Sequence, residues 1–163
     1  SGGAALAARL GCRSAEHLLE SSDGDRRVLA SAGVTAVLLP VTPFASFAHS
    51  RSPGREMVDA GVPVAVGTDL SPNSWVESMP VVLSHSVYSA RLTPAEALTA
   101  ATVNAAYAIG LSDEAGMIAV GHSADFVAFD VPSADHIPYR FGLTPDRVYR
   151  RGIRVPPAGD RAA

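Results

Sequence analysis

The sequence contains a single cysteine, no long hydrophobic run and no cluster of basic residues. Cys12 alone cannot form an internal disulfide, and disulfides are the usual support of small secreted domains. The alanine-rich start, residues 1–10, lacks the charged and apolar regions of a signal peptide. We therefore expect a reducing, cytoplasmic location. No apolar stretch approaches the roughly 20 residues that cross a bilayer, so a membrane protein is not expected.

Positive charge is also scarce. Thirteen basic residues, all arginine, stand against sixteen acidic ones, and the formal net charge is −3. No block of five to eight basic residues exists to follow a phosphate backbone, so nucleic acid is not an expected partner. Hydrophobic residues make up 47% of the chain, which is ordinary for a globular protein and excludes a disordered one.

Helix and strand patterns alternate three times in the first 69 residues. Helices are predicted over residues 1–10, from Asp23 or Asp25 to Ala32, and from Pro53 to Gly61. The intervening apolar segments are Glu16–Leu19, Val34–Leu39 and Val62–Thr68. The two longer segments are continuously apolar, which is typical of parallel strands that are covered on both faces. The pattern predicts an α/β protein.

The second part of the chain changes character. A polar loop, Leu70–Val76, precedes a helix that reaches about Arg91, and a capping box at Thr93 opens a further helix that ends at Ile109. Strands are predicted over the following segments: Met117–Val120, Asp125–Val131 and Arg147–Val155. A flexible tail is predicted over residues 156–163.

Asp69 and His17 are the candidate functional residues. Asp69 directly follows the predicted strand Val62–Thr68, and His17 lies in or just after the short apolar segment Glu16–Leu19. In parallel α/β proteins the functional side chains collect at the carboxyl ends of the strands. A carboxylate there can bind a divalent metal, act as a general base or cap the next segment. His17 can equally be a hydrogen-bonded structural residue.

Local catalytic motifs give no further guidance. No two histidines are separated by the short spacings of metal-binding motifs, and the sequence has no G-x-S-x-G elbow, P-loop or G-x-G-x-x-G fingerprint. A serine or cysteine triad is therefore unsupported.

Several longer segments do carry a resemblance. Five of them resemble the carboxyl-terminal half of the metal-dependent amidohydrolase superfamily: Gly67–Asp69, Thr93–Leu98, Ala101–Ala106, Gly116–Gly121 and Ala124–Asp130. Others are similar to the imidazolonepropionase family within it: Ser1–Ala7, Ser14–Leu18, Val37–Pro40, Asp69–Asn73, Glu77–Met79 and Ile137–Gly142.

The resemblance implies a fold. Residues 1–115 would form the last part of a (β/α)8 TIM barrel, about strands six to eight, and residues 116–155 part of a small β-sandwich domain. Members of the family are usually homodimers. A complete barrel needs roughly 250 residues, so this chain would supply only a fragment. A separate chain carrying the amino-terminal part is one expected partner.

The resemblance also implies a reaction, the hydrolysis of 4-imidazolone-5-propionate to N-formimidoyl-L-glutamate in histidine degradation, with zinc or iron as cofactor. Asp69 would be a metal ligand and would move the proton of the attacking water, while His17 would orient that water and stabilise the oxyanion. Ser71, Asn73 and Ser74 would contact the substrate. Ser71 and Asn73 depart from the residues usual in the family, and a plain proline-containing turn is the alternative.

Three interpretations remain open at the level of sequence. The first is an imidazolonepropionase fragment that is inactive alone, because the family's His-x-His metal motif belongs to the first strand. The second is another amidohydrolase, such as a deacetylase or a cyclic amidase. The third is a non-catalytic fragment that self-associates through its exposed sheet edge.

Overall fold

Three short parallel strands form the first sheet of the computed structural model, which describes residues 2–156. They are β1 (Ser14–Glu16), β2 (Thr35–Leu38) and β3 (Val64–Val66). β2 lies in the middle, with Ala36 opposite Ala15 of β1 and opposite Val64 of β3. The alternating α/β arrangement predicted from the sequence is confirmed. Within the described residues, β1 and β3 each pair on one side only.

Eight helices occur among residues 2–156. They are α1 (Gly3–Arg9), α2 (Asp23–Ala32), α3 (Val41–Ala45), α4 (Gly54–Asp59), α5 (Met79–Tyr88), α6 (Pro94–Ala101), α7 (Val103–Ala108) and α8 (His136–Tyr139). In this part of the chain no helix has both the length and the apolar character that a membrane crossing requires. The sequence did not predict α3 or α8, because both are short and contain proline.

The start of α2 corrects one prediction. The N-cap is Ser22, whose Oγ accepts a hydrogen bond from the Asp25 N–H at 3.2 Å. The Asp25 carboxylate in turn accepts one from the Ser22 N–H at 2.9 Å. This reciprocal capping box satisfies two backbone amides, and the bonds from Ser22 hold the pKa of Asp25 below its ordinary value. At the other end Gly33 adopts the predicted left-handed conformation.

The buried core lies between the first sheet and the helices that pack on it. Ala36 and Leu38 of β2 both belong to it, because alternate residues of a strand share a face. Leu29 of α2 is completely buried in the same cluster. Burying a leucine side chain contributes about 1.5–3 kcal/mol. Thr35, on the opposite face of β2, is also fully buried, which explains why the β2 segment is continuously apolar around it.

The helix predicted over residues 93–109 is broken in the structure. Thr102 leaves helical geometry with φ −125° and ψ −89°, and it separates α6 from α7. Beyond the break, the side-chain amide of Asn104 donates a hydrogen bond to the carbonyl of Val64 at 2.8 Å. The bend therefore anchors α7 on the first residue of β3, a tertiary contact that helical periodicity does not reveal.

An antiparallel sheet forms in the last third of the chain. Its strands, in the order β4-β5-β6, are β4 (Phe126–Ala128), β5 (Arg147–Arg150) and β6 (Ile153–Val155). The strand predicted over Met117–Val120 is wrong: this segment pairs with nothing in the described part of the chain. Ile118 is 92% exposed there. The predicted tail at residues 156–163 lies, apart from Pro156, outside the described residues.

The segment around α8 returns to the first part of the molecule. The buried hydroxyl of Ser84 in α5 donates a hydrogen bond to the carbonyl of Pro138 at 2.7 Å, and Pro138 is itself fully buried. Residues 136–142, which the sequence assigned with residues 116–155, thus pack on the helix that follows the Asp69 loop.

An ion pair between α4 and α6 provides a test of stability. Both terminal guanidinium nitrogens of Arg55 donate to the Glu96 carboxylate, at 2.9 and 3.0 Å. The Thr93 N–H donates to the same carboxylate at 2.8 Å, completing the predicted capping box. Arg55, followed by Thr93, lowers the pKa of Glu96 from its ordinary 4.5 to about 2. Because the folded-state pKa is lowered, this stabilisation is complete above pH 4.5 and is lost as the pH falls toward 2.

We expect Glu96→Gln to lower the free energy of unfolding at pH 7 by about 1 kcal/mol, since glutamine keeps the cap but removes the charge. The difference from wild type should shrink below pH 4.5 in urea unfolding followed by circular dichroism. Glu114→Gln, at an exposed turn position after α7, is the matched control and should leave the pH dependence unchanged. A Glu96→Gln deficit that stays constant down to pH 2 would contradict the prediction.

Candidate functional site

His17 and Asp69 lie at the same edge of the first sheet. His17 directly follows β1, and Asp69 is the third residue after β3. Because β1, β2 and β3 are parallel, their carboxyl ends meet at one edge, as the sequence predicted. β2 lies between the two strands, so the candidate residues flank its carboxyl end.

The Asp69 carboxylate accepts a hydrogen bond from α3, the short helix that follows β2. The hydroxyl of Thr42 donates to its Oδ2 at 2.7 Å, and the contact is partly buried. Thr42 belongs to α3, which begins just after β2. Asp69 itself has a φ of +52°, a strained conformation for a residue other than glycine. The chain thus turns sharply at Asp69 after β3. Its side chain is oriented by Thr42 of α3, the short helix that follows the neighbouring strand β2.

His17 occupies a tight turn that ends β1. Its N–H donates to the carbonyl of Val37 at 3.0 Å, and the Leu18 N–H bonds back to the carbonyl of Glu16 at 2.9 Å. This closes a γ-turn with His17 at its centre and a φ of +62°, followed by Leu18 at +57°. The positive φ values explain why β1 stops at Glu16 instead of continuing to Leu19.

The His17 side chain is exposed and lines a cavity of about 570 Å³ formed with α1 and β1. Cys12, Glu16 and Glu20 line the same cavity, and Asp69 does not. The positions of His17 and Asp69 in the sequence also predict that their side chains converge on one shared concavity, and this stays a prediction.

The predicted substrate loop folds as a small turn. Ser71 and Ser74 exchange two backbone hydrogen bonds, each of 3.1 Å, across Pro72 and Asn73. Asn73 is exposed and Ser71 is half-buried, whereas Ser74 is buried and its hydroxyl has no hydrogen-bond partner among the described residues. Asn73 and Ser71 can reach a ligand as the loop stands. Ser74 can do so only if the loop moves.

Comparison with known proteins adds the family. The sequence model of the amidohydrolase family matches residues 4–155, nearly the whole chain. The chain belongs to this amidohydrolase family. The membership agrees with the resemblance drawn from the sequence motifs.

The curated relatives of the chain include imidazolonepropionases from several bacteria. The chain is 47% identical over 142 residues to the imidazolonepropionase of Brevibacillus brevis, an alignment covering 86% of this chain and 33% of the relative. It is 46% identical over 145 residues to the imidazolonepropionase of Syntrophobacter fumaroxidans, covering 88% and 34%. These identities confirm the predicted resemblance to imidazolonepropionases. The chain spans about a third of the length of these relatives.

A solved structure supports the fold of the amidohydrolase. An adenosine deaminase from Xanthomonas campestris, crystallised with bound zinc, superimposes with a TM-score of 0.77 at 23% identity. The match covers 92% of this chain and 39% of the deaminase. Together with the family match, this superposition confirms a partial amidohydrolase domain of the TIM-barrel type. At this identity the similarity speaks for the fold alone.

Asp69 is the one predicted metal ligand in this chain. Between residues 2 and 156, no group of three histidine, cysteine, aspartate or glutamate side chains is arranged to hold a metal ion. The Asp69 carboxylate has the oxygen donors that a divalent ion accepts, and the Thr42 hydroxyl already occupies one of them. A metal site built on Asp69 would need further ligands from outside this part of the chain.

Thr42 was missed by the sequence analysis, as was an aromatic cluster beside it. The cluster contains Phe44 of α3, His85 and Tyr88 of α5, and Phe141. The rings of Phe44 and His85 lie 5.1 Å apart, and Phe141 lies 6.1 Å from His85 and 5.5 Å from Tyr88. Burial among these rings lowers the pKa of His85. The sequence analysis treated Pro40 only as the end of a strand. The polar residue Thr42, two positions beyond that strand end, was the signal that could have identified it as part of the site.

Proposed function

We propose that this chain is the carboxyl-terminal part of a metal-dependent imidazolonepropionase. The enzyme would add water to the ring amide of 4-imidazolone-5-propionate, break the ring C–N bond and release N-formimidoyl-L-glutamate. The observation that carries the proposal is the 46–47% identity to two imidazolonepropionases over most of the chain. The placement of Asp69 at the functional edge of the sheet supports it independently.

Asp69 is the residue assigned to the metal and to proton transfer. Its carboxylate would hold one divalent ion, zinc or iron, together with ligands from the rest of the enzyme. When bound, the ion supplies Lewis-acid polarisation of the amide carbonyl. The Asp69 oxygen that Thr42 leaves free would take a proton from the attacking water and return it to the leaving ring nitrogen. The proton that leaves the attacking water thus ends on the ring nitrogen whose C–N bond breaks, and Asp69 returns to its ionised form.

His17 and the turn after Asp69 complete the proposed roles. The exposed imidazole of His17 would orient the attacking water and donate a hydrogen bond to the oxyanion that forms on the amide carbon. Ser71, Asn73 and Ser74 would contact the substrate, and the exposed position of Asn73 favours it most among the three.

The remaining proposals concern the assembly. β1, β2 and β3 would be strands six, seven and eight of the barrel, and β4–β6 would belong to the β-sandwich domain. The whole enzyme would be a cytoplasmic homodimer with a small-molecule substrate. The one-sided pairing of β1 supports a preceding strand beside it, supplied by the amino-terminal part of the enzyme.

The decisive experiment is a chimera in which this chain replaces the matching third of the Brevibacillus brevis imidazolonepropionase. The purified chimera is assayed for imidazolonepropionate hydrolysis and for metal content, beside the unaltered relative and this chain alone. We expect hydrolysis and about one divalent ion per chimera, and neither from the chain alone. Mixing the chain with the separately expressed first two-thirds of the relative tests whether a covalent link is needed.

The controls separate the alternatives. If the relative's own last third restores activity in the same format and this chain does not, the proposal is wrong. Hydrolysis of an N-acetyl or another cyclic amide substrate in place of imidazolonepropionate would indicate a different amidohydrolase. A folded chain that only self-associates, without metal or activity, would indicate a non-catalytic fragment.

A further inference from the structure

We propose that Thr42 is a positioning residue for Asp69, fixing the orientation of its carboxylate. The inference rests on the proposed function, because it concerns Asp69, to which that proposal assigns metal binding and proton transfer. Thr42 does not itself touch substrate or metal in this proposal. It acts through the hydroxyl group that it directs at Asp69.

The geometry singles out one oxygen of the carboxylate. Thr42 Oγ1 donates to Asp69 Oδ2 at 2.7 Å, a short bond of the kind made to an ionised acceptor. It is the only side-chain hydrogen bond that residues 2–156 give to this carboxylate. With Oδ2 engaged, rotation about the Cβ–Cγ bond is restricted, and Oδ1 is the oxygen left for a ligand or a proton.

The position of Thr42 is itself fixed from two sides. Its neighbours Val41 and Pro43 are buried, which anchors α3 against the core. Phe44, two residues further on, packs on His85 of α5. A displacement of α3 would therefore disturb the contact between Phe44 and His85 on the helix that follows the Asp69 loop.

The Ile137–Gly142 segment provides the outer support of this arrangement. Phe141 packs on the other side of His85 and stacks on Tyr88, while Pro138 accepts the hydrogen bond from Ser84 of α5. This segment resembles its family counterpart closely and lies outside the proposed site. The contacts give it a role, since it holds α5 and, through His85 and Phe44, the helix that carries Thr42.

The first test uses the 163-residue chain and needs no activity. The ¹³Cγ resonance of Asp69 is recorded by NMR at neutral pH in wild type, Thr42→Val and Thr42→Ser. Valine keeps the shape of threonine without the hydroxyl, whereas serine keeps the hydroxyl. We expect valine to move the resonance and serine to leave it near the wild-type position. Thr102→Val, which removes an exposed hydroxyl bonded to the Leu98 carbonyl, is the matched control and should have no effect.

The second test uses the chimera defined above. Thr42→Val should weaken zinc binding about 10- to 100-fold in a chelator competition and lower kcat by a similar factor, with little change in KM. Thr42→Ser should restore both. Equal losses in the valine and serine variants, or wild-type metal affinity in the valine variant, would overturn the proposal.

The two proposals fail in different ways. An inactive, metal-free wild-type chimera would contradict the proposed function, and the NMR comparison would still decide whether the Thr42 hydroxyl orients Asp69. An active wild-type chimera whose Thr42→Val variant is unchanged would contradict the positioning role alone.

Discussion

Asp69→Asn should reduce hydrolysis by the chimera between about 10²- and 10⁴-fold, the range attributed to a general base. The carboxamide has nearly the shape of the carboxylate and can still accept the Thr42 hydrogen bond, so the fold should persist. It cannot take a proton from water, and it is a weaker ligand for a divalent cation. Metal content should therefore fall together with kcat.

The measurement needs a carboxylate control and a folding control. Asp113→Asn changes an exposed carboxylate in the turn after α7 and should leave kcat and metal content at the wild-type level. Circular dichroism of each variant shows whether the fold is intact. An Asp69→Asn chimera that keeps a tenth or more of the activity would mean that Asp69 only caps the turn after β3.

Gly116→Ala should strongly destabilise the chain. Gly116 has a φ of +95°, and a Cβ there would lie 2.7 Å from the Cβ of Ala106 and 2.9 Å from the carbonyl oxygen of Thr102. Backbone strain adds about 1–2 kcal/mol and overpacking about 1–3 kcal/mol. We expect a total loss of about 3 kcal/mol in urea unfolding of the 163-residue chain.

Gly121 is the matched control, because its φ of +90° is similar and nothing lies within 4 Å of a Cβ placed there. Gly121→Ala should lose only the strain part, about 1 kcal/mol. Similar losses at the two positions would show that crowding against α7 contributes nothing. A Gly116→Ala variant as stable as wild type would contradict both parts of the argument.

The sequence was most predictive where local chemistry decides the structure. The capping box at Thr93, the left-handed Gly33 and the continuously apolar β2 segment all follow from nearby residues, and each is present. It was misleading where a distant group decides. The bend at Thr102 is followed by a hydrogen bond from Asn104 to the carbonyl of Val64, 40 residues away. The segment at 117–120 has the composition of a strand without a partner strand among the described residues.

The candidate site also contains residues that the sequence could identify and residues that only the folded structure reveals. Asp69 could be found because it follows a continuously apolar strand, and His17 because it lies at a short apolar segment. The parallel sheet brings the two strand ends to one edge. Thr42 could not be identified from its own surroundings, since α3 is a five-residue helix and its hydroxyl meets Asp69 only in the folded sheet. The aromatic contacts of Phe141 likewise join residues that lie far apart along the chain.

The order of the first sheet has a kinetic consequence. Each strand pairs with the strand that immediately precedes it along the chain, β2 on β1 and β3 on β2. Pairing among these three strands therefore waits for no distant segment, and they can pair in the order in which they leave the ribosome. β1, which ends just before the strained residues His17 and Leu18, is the strand on which β2 pairs, and β2 in turn pairs with β3. A change that loosens β1 should slow the whole sequence of additions.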